Sequence, residues 1–234
     1  MGAIFRRELG SFFTSSIAYV FLSVFYLMSG WFFYSNTLAY GTADMSGFFS
    51  IMFLVFVILV PVLTMKTFSE EKKQKTDQGL LTAPISLGSM VMGKYLAVFV
   101  MYLFGVSIVL VYAVILSFFG TVDWVIVFSN YAALILMGTA CISIGMLISA
   151  LTENQVVAAV GGIFSLLLVY MLDLIANFID IDIISDILNA LSFNNKYYEF
   201  TCGIFNFSSV LFYISVAVIF NFLTGRIFEK RRWA

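Results

Sequence analysis

The run Gly88-Ser89-Met90-Val91-Met92-Gly93-Lys94-Tyr95 comes within one residue of a phosphate-binding loop. In such a loop, glycines free the backbone N–H groups to cradle phosphates and the lysine reaches the terminal ones. Here Tyr95 stands where a Ser or Thr would ligate magnesium, and no strand precedes the run. Met90, Val91 and Met92 lead directly into an apolar stretch. Nucleotide binding by this chain is therefore not expected, and Lys94 is read as a cation snorkelling to lipid headgroups. The chain has 0 His, which removes haem ligation by histidine, HExxH zinc chemistry and any Ser–His dyad. Its 2 cysteines, Cys141 and Cys202, fall in an apolar stretch and a loop. No disulfide is expected, and Cys141 reads as a small packing residue. Asp173 is the one acidic residue inside a predicted span. It lies ~27 Å beyond Gln155 at the helical rise, which makes it a hydrated helix end, with a proton or substrate role as the alternative.

These residues have to be positioned in a membrane. The chain is 62% hydrophobic and 11% charged, with 27 Phe and a mean hydropathy of +1.04, whereas a soluble domain is about a quarter charged. Six segments reach the ~20 apolar residues that a transmembrane helix needs: 17–38, 47–66, 89–118, 124–150, 155–176 and 209–228. The fold class predicted is all-α integral membrane, one domain over residues 1–234 with six transmembrane helices. The first apolar run is too long for a signal peptide and lacks a small-residue cleavage site.

Loops 39–46, 119–123 and 177–208 hold Asp44, Asp123, Asp180, Asp182, Asp186 and Glu199, with Lys196 as their only base. Every other one of the 12 Lys and Arg lies in the remaining loops, at the two ends, or within the span ends that adjoin them. Both termini are therefore predicted to be cytoplasmic. Tyr40 and Trp124 would mark the outer boundary and Trp233 the inner one. A net charge of −1, with the bases sorted by topology, gives no sign of a nucleic-acid partner.

Phe5, Leu9, Phe12 and Phe13 recur at helical spacing, away from Arg6 and Arg7. This predicts a short helix lying in the inner interface, or else a plain basic anchor. Between spans two and three, Ser69 is read as a helix cap with Glu70 and Glu71 in the first turn. Lys72, Lys73 and Lys75 follow, then Leu80 and Leu81 between Gly79 and Pro84. A charged helix closing on a leucine pair is either a docking surface or a solvated linker. Cys141, Gly145 and Ser149, and Ala158 and Gly162, are stripes of small residues that let helices approach closely, within the bundle or at a dimer seam. Ile181, Ile183, Ile184, Ile187 and Leu188, among Asp180, Asp182 and Asp186, suit a short amphipathic helix.

Glu70-Glu71, Thr76-Asp77-Gln78, Leu81-Thr82-Ala83-Pro84-Ile85-Ser86 and Gly93-Lys94-Tyr95-Leu96 resemble the permease subunits of ABC-2-type (type V) ABC transporters. The sequence is most similar to the gliding-motility and copper-maturation subgroup. The N-terminal helix, Leu151-Thr152-Glu153-Asn154-Gln155 and the ending Glu229-Lys230-Arg231-Arg232-Trp233 extend the likeness over the whole chain. It departs from the pattern at Lys75, where the family usually has Gly, and at Gly79, usually Leu. The resemblance implies an elbow helix anchored by Phe5, Arg6, Arg7 and Leu9. It implies a cytoplasmic coupling helix that meets the ATP-binding subunit through Phe68, Glu70, Glu71, Lys72, Lys73, Thr76, Asp77, Gln78, Leu80 and Leu81. A second cytoplasmic contact would lie at Thr152, Glu153 and Asn154, and a seam between permease halves at Gly161 and Gly162. A short helical pair between spans five and six would close the outer end.

Functionally, the resemblance implies the permease subunit of an ATP-driven exporter in the bacterial inner membrane. Its partners would be two copies of an ABC ATP-binding subunit, a second permease half, an auxiliary periplasmic or outer-facing subunit, and lipids. The chain would be no enzyme itself and would bind no cofactor, with ATP and Mg held by the partner ATPase. Two readings from the residues alone stay open. One is an ATPase-independent secondary transporter or channel, which would want paired intramembrane charges or interrupted helices. The other is a non-transporting membrane assembly protein.

Overall fold

Apolar runs with few breakers give helix after helix in the computed structural model, which describes residues 1–42, 44–76, 86–178 and 181–232; no strand occurs among them. Asp77, Gln78, Gly79, Leu80, Leu81 and Pro84, with Asp180 and Trp233, lie outside the described residues, and so do the side chains of Asp182 and Arg232. The helices are α1 (Gly2–Thr14), α2 (Ser16–Asn36), α3 (Ser46–Thr64), α4 (Lys66–Lys73), α5 (Leu87–Val106) and α6 (Ile108–Ser117). After them come α7 (Trp124–Leu151), α8 (Gln155–Tyr170), α9 (Leu172–Asn177), α10 (Asp182–Leu191), α11 (Phe193–Thr201) and α12 (Phe207–Arg232).

Among the described residues, five helical stretches are long and apolar enough to cross a bilayer: Ser16–Tyr40, Ser46–Lys73, Leu87–Ser117, Trp124–Leu151 and Phe207–Arg231. The predicted span 155–176 is not one helix. α8 stops after 16 residues, and Met171 (φ −89°, ψ 3°) turns the chain into α9. No Gly or Pro marks this break. Tertiary contacts impose it: the Tyr170 ring meets Phe53 edge-on at 5.0 Å, and Asn194 Nδ2 donates to Asp173 Oδ2 at 2.8 Å. Asp173 is thus tied to α11 rather than being a hydrated end, and its buried Oδ1 has no partner among the described residues. The third predicted span is interrupted at Ser107, whose Oγ donates to Phe104 O at 2.7 Å, a side-chain bond that competes with the helix ladder.

Helix α7 sits at the centre, touching α3, α4, α5, α8, α11 and α12. Its small residues explain this. A Cβ on Gly138 would fall inside the Tyr102 ring, and one on Gly145 inside the Thr64 hydroxyl. Cys141 is buried beside them, and both cysteines are free. Gly162 on α8 serves the same purpose, since its added Cβ would come 2.9 Å from Pro61 Cβ. The expected seam between copies at Gly162 is therefore corrected: this face is used inside the chain. Gly161 is half-buried, with Ile148 3.2 Å from where its Cβ would be.

At the end of the bundle away from the lysine cluster, the amphipathic pattern over 181–188 becomes α10, with Ile183 and Ile187 exposed. α11 instead docks inward, and Tyr197 Oη donates to Phe49 O at 2.8 Å.

The contrast between filled and open glycine sites is testable. Gly138→Ala should cost about 1–3 kcal/mol by overpacking, because Tyr102 is buried and donates to Leu134 O at 2.7 Å. Gly10→Ala, with nothing within 4 Å, should stabilise by about 0.5–1 kcal/mol. Thermal unfolding in detergent distinguishes the two.

Candidate functional site

The charged helix α4 does not begin at Ser69. Met65 keeps helical angles (φ −53°, ψ −35°), so α4 continues almost directly from α3, and Ser69 Oγ donates back to Met65 O inside the helix. The expected Ser69 cap is thus corrected. The hydroxyl that serves this joint comes from α7: Ser149 Oγ donates to Met65 O at 2.9 Å. It also accepts from the N–H groups of Phe68 and Ser69, both at 3.2 Å. One hydroxyl therefore fixes three backbone groups where the apolar helix becomes charged.

Two residues expected on a partner-facing surface are turned inward. Phe68 is 1% exposed, with its ring 4.7 Å from that of Phe228 on α12. Lys72 donates to Ala150 O, and its Nζ lies 5.9 Å from the Phe228 ring centre. Lys73, Gln74, Lys75 and Thr76 are exposed, while Glu70 and Glu71 are half-buried.

Lys94 is the chief departure from expectation. Only 1% exposed, it does not snorkel to headgroups. Its Nζ lies 3.2 Å from Glu8 Oε1 and 2.9 Å from Glu71 Oε1, and it donates to Thr67 O at 3.0 Å. Arg7 Nη2 reaches the same two oxygens, at 2.5 Å and 2.8 Å. The four side chains thus form a closed ring of alternating charge drawn from α1, α4 and α5. The Glu8 hydrogen bond raises the Arg7 pKa, against the lowering effect of burial. A buried ammonium is tolerable only when it is paired and hydrogen-bonded, and this ring supplies both.

Gly93, next along α5, lets α1 come this close, since its Cβ would meet Ile4 Cγ2 at 3.1 Å and Met1 O at 3.3 Å. Beside the ring, Lys66 Nζ bonds Glu70 Oε2 at 3.3 Å and Ser15 Oγ at 3.2 Å, tying α4 to the α1–α2 joint. A cavity of about 340 Å³ opens here, lined by Arg7, Glu8, Ser11, Lys66, Glu70 and Glu71 among others.

α4 ends in a Schellman turn. Thr76 N–H donates to Glu71 O at 3.0 Å and Lys75 N–H to Lys72 O at 3.1 Å, with Lys75 at φ +56°. Left-handed angles favour glycine, which gives a physical reason for a Gly at this position. The helix therefore closes at Lys73, ahead of the leucine pair on which it was expected to close. Of the expected contact residues, Asp77, Gln78, Leu80 and Leu81 lie outside the described residues.

Thr152, Glu153 and Asn154 sit at this same end. Asn154 Oδ1 caps α8 by accepting from Val156 N–H at 2.9 Å, and Arg231 Nη2 stands 4.0 Å from Glu153 Oε1. Of the anchor residues, Phe5 and Leu9 pack against the core, while Arg6 is exposed.

A family profile described as ABC-2 family transporter protein matches residues 37–194, more than half of the chain. The chain belongs to the ABC-2 transporter family. It is a multi-pass membrane protein and a permease component of an ABC transporter, in a family whose members do not themselves carry out hydrolysis. The match includes α4 and its Glu71–Lys94 ion pair to α5, and leaves out α1 and α12. No curated protein matches the sequence significantly.

Sequence reasoning missed Glu8 and Phe228 as members of this cluster and read Ser149 only as one of a stripe of small residues. A carboxylate following two arginines reads as surface. Only the three-dimensional approach of α1 and α7 gives them partners.

Removing the ammonium takes away the buried cation and leaves Glu8 and Glu71 with Arg7 alone between them. Lys94→Met should therefore lower stability by about 3 kcal/mol, the loss typical of a broken buried pair. The unfolding midpoint in detergent measures it. Lys75→Gly should raise the same midpoint, corresponding to about 1 kcal/mol from relief of the left-handed strain; an unchanged or lower midpoint would refute the strain argument.

Proposed function

We propose that this permease is the membrane half of an ATP-driven exporter, working as two permease halves with two ATPase subunits. In this reading both termini are cytoplasmic, and α8 with α9 makes the sixth crossing. α1 is then the interfacial elbow, and α4 with the residues after it is the coupling helix. The gliding-motility and copper-maturation subgroup is favoured by the sequence motifs, and the bacterial inner membrane by the same likeness.

The observation that carries the reading is the ring Arg7–Glu8–Lys94–Glu71. It makes α4 mechanically continuous with α1 and α5, while Ser149 and Lys72 join α4 to α7. ATP-driven closure of the ATPases would push on Glu70, Lys73, Gln74 and Thr76. Because the contacts at the other end of α4 are fixed, the push would tilt α3 and α5 instead of bending the helix. Such a movement alternates access only if the bundle has two states, and the ATPase would bias one of them. The apolar faces of α2 (Leu27, Trp31) and α8 (Val160, Phe164) are exposed in the single chain, which suits a seam between two halves.

Purification from the native host in mild detergent tests this. Wild type should bring down a P-loop ATPase in equal amount. The double variant Glu70→Lys/Lys73→Glu should reduce its recovery about tenfold, equivalent to about 1.4 kcal/mol, without changing the amount of permease. Undiminished recovery removes α4 as the contact. Absence of any P-loop ATPase from the wild-type preparation overturns the proposal itself.

A further inference from the structure

A groove runs along the outside of the bundle between α5 and α12. Its upper part, about 340 Å³, is walled by Val91, Met92 and Tyr95 on one side and Ile214, Val218 and Phe222 on the other. The lower part, about 400 Å³, continues past Gly88 and Asn221 to Arg226 and Glu229. It is apolar above and charged below. At the charged end, Arg226 Nη1 contacts Glu229 Oε2 at 2.5 Å, and the guanidinium lies 4.9 Å from the Phe222 ring centre.

Asn221 stands where the two parts meet. It is 8% exposed, and its Nδ2 donates to Ala217 O at 2.8 Å. Its Oδ1 is buried and accepts no hydrogen bond from the described residues. Exchanging the two amide atoms would set oxygen against oxygen, so the hydrogen-bond network fixes this orientation. A buried acceptor left without a donor is destabilising. A ligand that brings a donor to this level would remove the penalty.

The geometry points to a site for a single-chain amphiphile from the membrane that carries a hydroxyl between its tail and a zwitterionic head, as a lysophospholipid does. The tail lies against Val91, Met92, Ile214 and Val218. The hydroxyl donates to Asn221 Oδ1. The head reaches Arg226 and Glu229, ~8 Å and ~12 Å further along α12 at the helical rise, with phosphate toward the guanidinium and the cationic group toward the carboxylate. A diacyl phospholipid has ester oxygens at the level of Asn221. These are acceptors, and they would meet Oδ1 acceptor to acceptor. The groove therefore discriminates by the donor.

The site is independent of ATPase coupling, so its test stands apart from that of the proposed function. Full-length protein in detergent would be titrated by native mass spectrometry with 1-palmitoyl-lysophosphatidylcholine and with its sn-2 O-methyl ether, which lacks only the donor. The hydroxyl form should bind about five- to tenfold more tightly, the value of one hydrogen bond. Asn221→Leu should abolish that preference. Gly88→Leu should weaken both ligands, because a side chain there meets nothing within 4 Å and extends into the groove. Equal binding of the two ligands to wild type, the mark of annular lipid only, overturns the proposal. So does a preference that survives Asn221→Leu. Should that variant fail to fold, the two ligands on wild type decide alone.

Discussion

The charge on Lys94 constrains everything at the lysine-rich end of this molecule. An ammonium in the wall of an apolar bundle is tolerable only if counter-charges come to it, and they come from two other helices. Glu8 brings α1 against α5, and Glu71 fixes the rotation of α4. Arg7 closes the ring, so that two carboxylates face two cations and no charge of either sign is left over. The ring adds to the packing of Ile4, Phe5, Leu9 and Phe12, which hold the apolar side of the short α1 against the core. Gly93, one residue before the lysine, provides the close approach that the ring requires. A sequence that failed as a phosphate-binding loop thus uses its glycine and lysine for a structural purpose.

Helix α7 imposes the second constraint, and it is steric. Gly138 and Gly145 hold Tyr102 and Thr64 at backbone distance, so α3 and α5 lie against α7 with little freedom to slide. The Ser149 hydroxyl then locks the α3–α4 joint to the same helix. Rigid contact of this kind passes displacement on, because well-packed interiors have few voids in which to absorb it. The exposed turn from Lys73 to Thr76 lies at the free end of that rigid assembly.

Much of this was legible in the sequence, and where it was not the reason is physical. Hydropathy and length located the long helices, since burial in lipid leaves little choice of secondary structure. The interruption at Met171 was illegible, because neither glycine nor proline signals it; Tyr170 and Asp173 find their partners on other helices. At the charged segment, a helix capped by Ser69 was expected, and the helix that forms runs from Lys66 to Lys73. Its polarity pattern, however, could not reveal that Phe68 and Lys72 turn toward Phe228. Lys94 was misread for the same reason: hydropathy assigns an isolated lysine to the surface, and only the fold reveals two carboxylates waiting for it. Lys75 was legible as an oddity, and its left-handed backbone now accounts for that.

The early end of α8 has a consequence for the surrounding lipid. A helix of 16 residues rises ~24 Å, several ångströms less than the ~30 Å hydrocarbon core of a typical bilayer. The neighbouring α7, with 28 residues, is more than long enough. On the six-crossing reading, the 6 residues of α9 beyond Met171 make up the missing length, so that crossing is jointed where its neighbours are continuous. A change in bilayer thickness would then be met by tilt at the joint, and lipid chain length would act on the permease through no binding site at all.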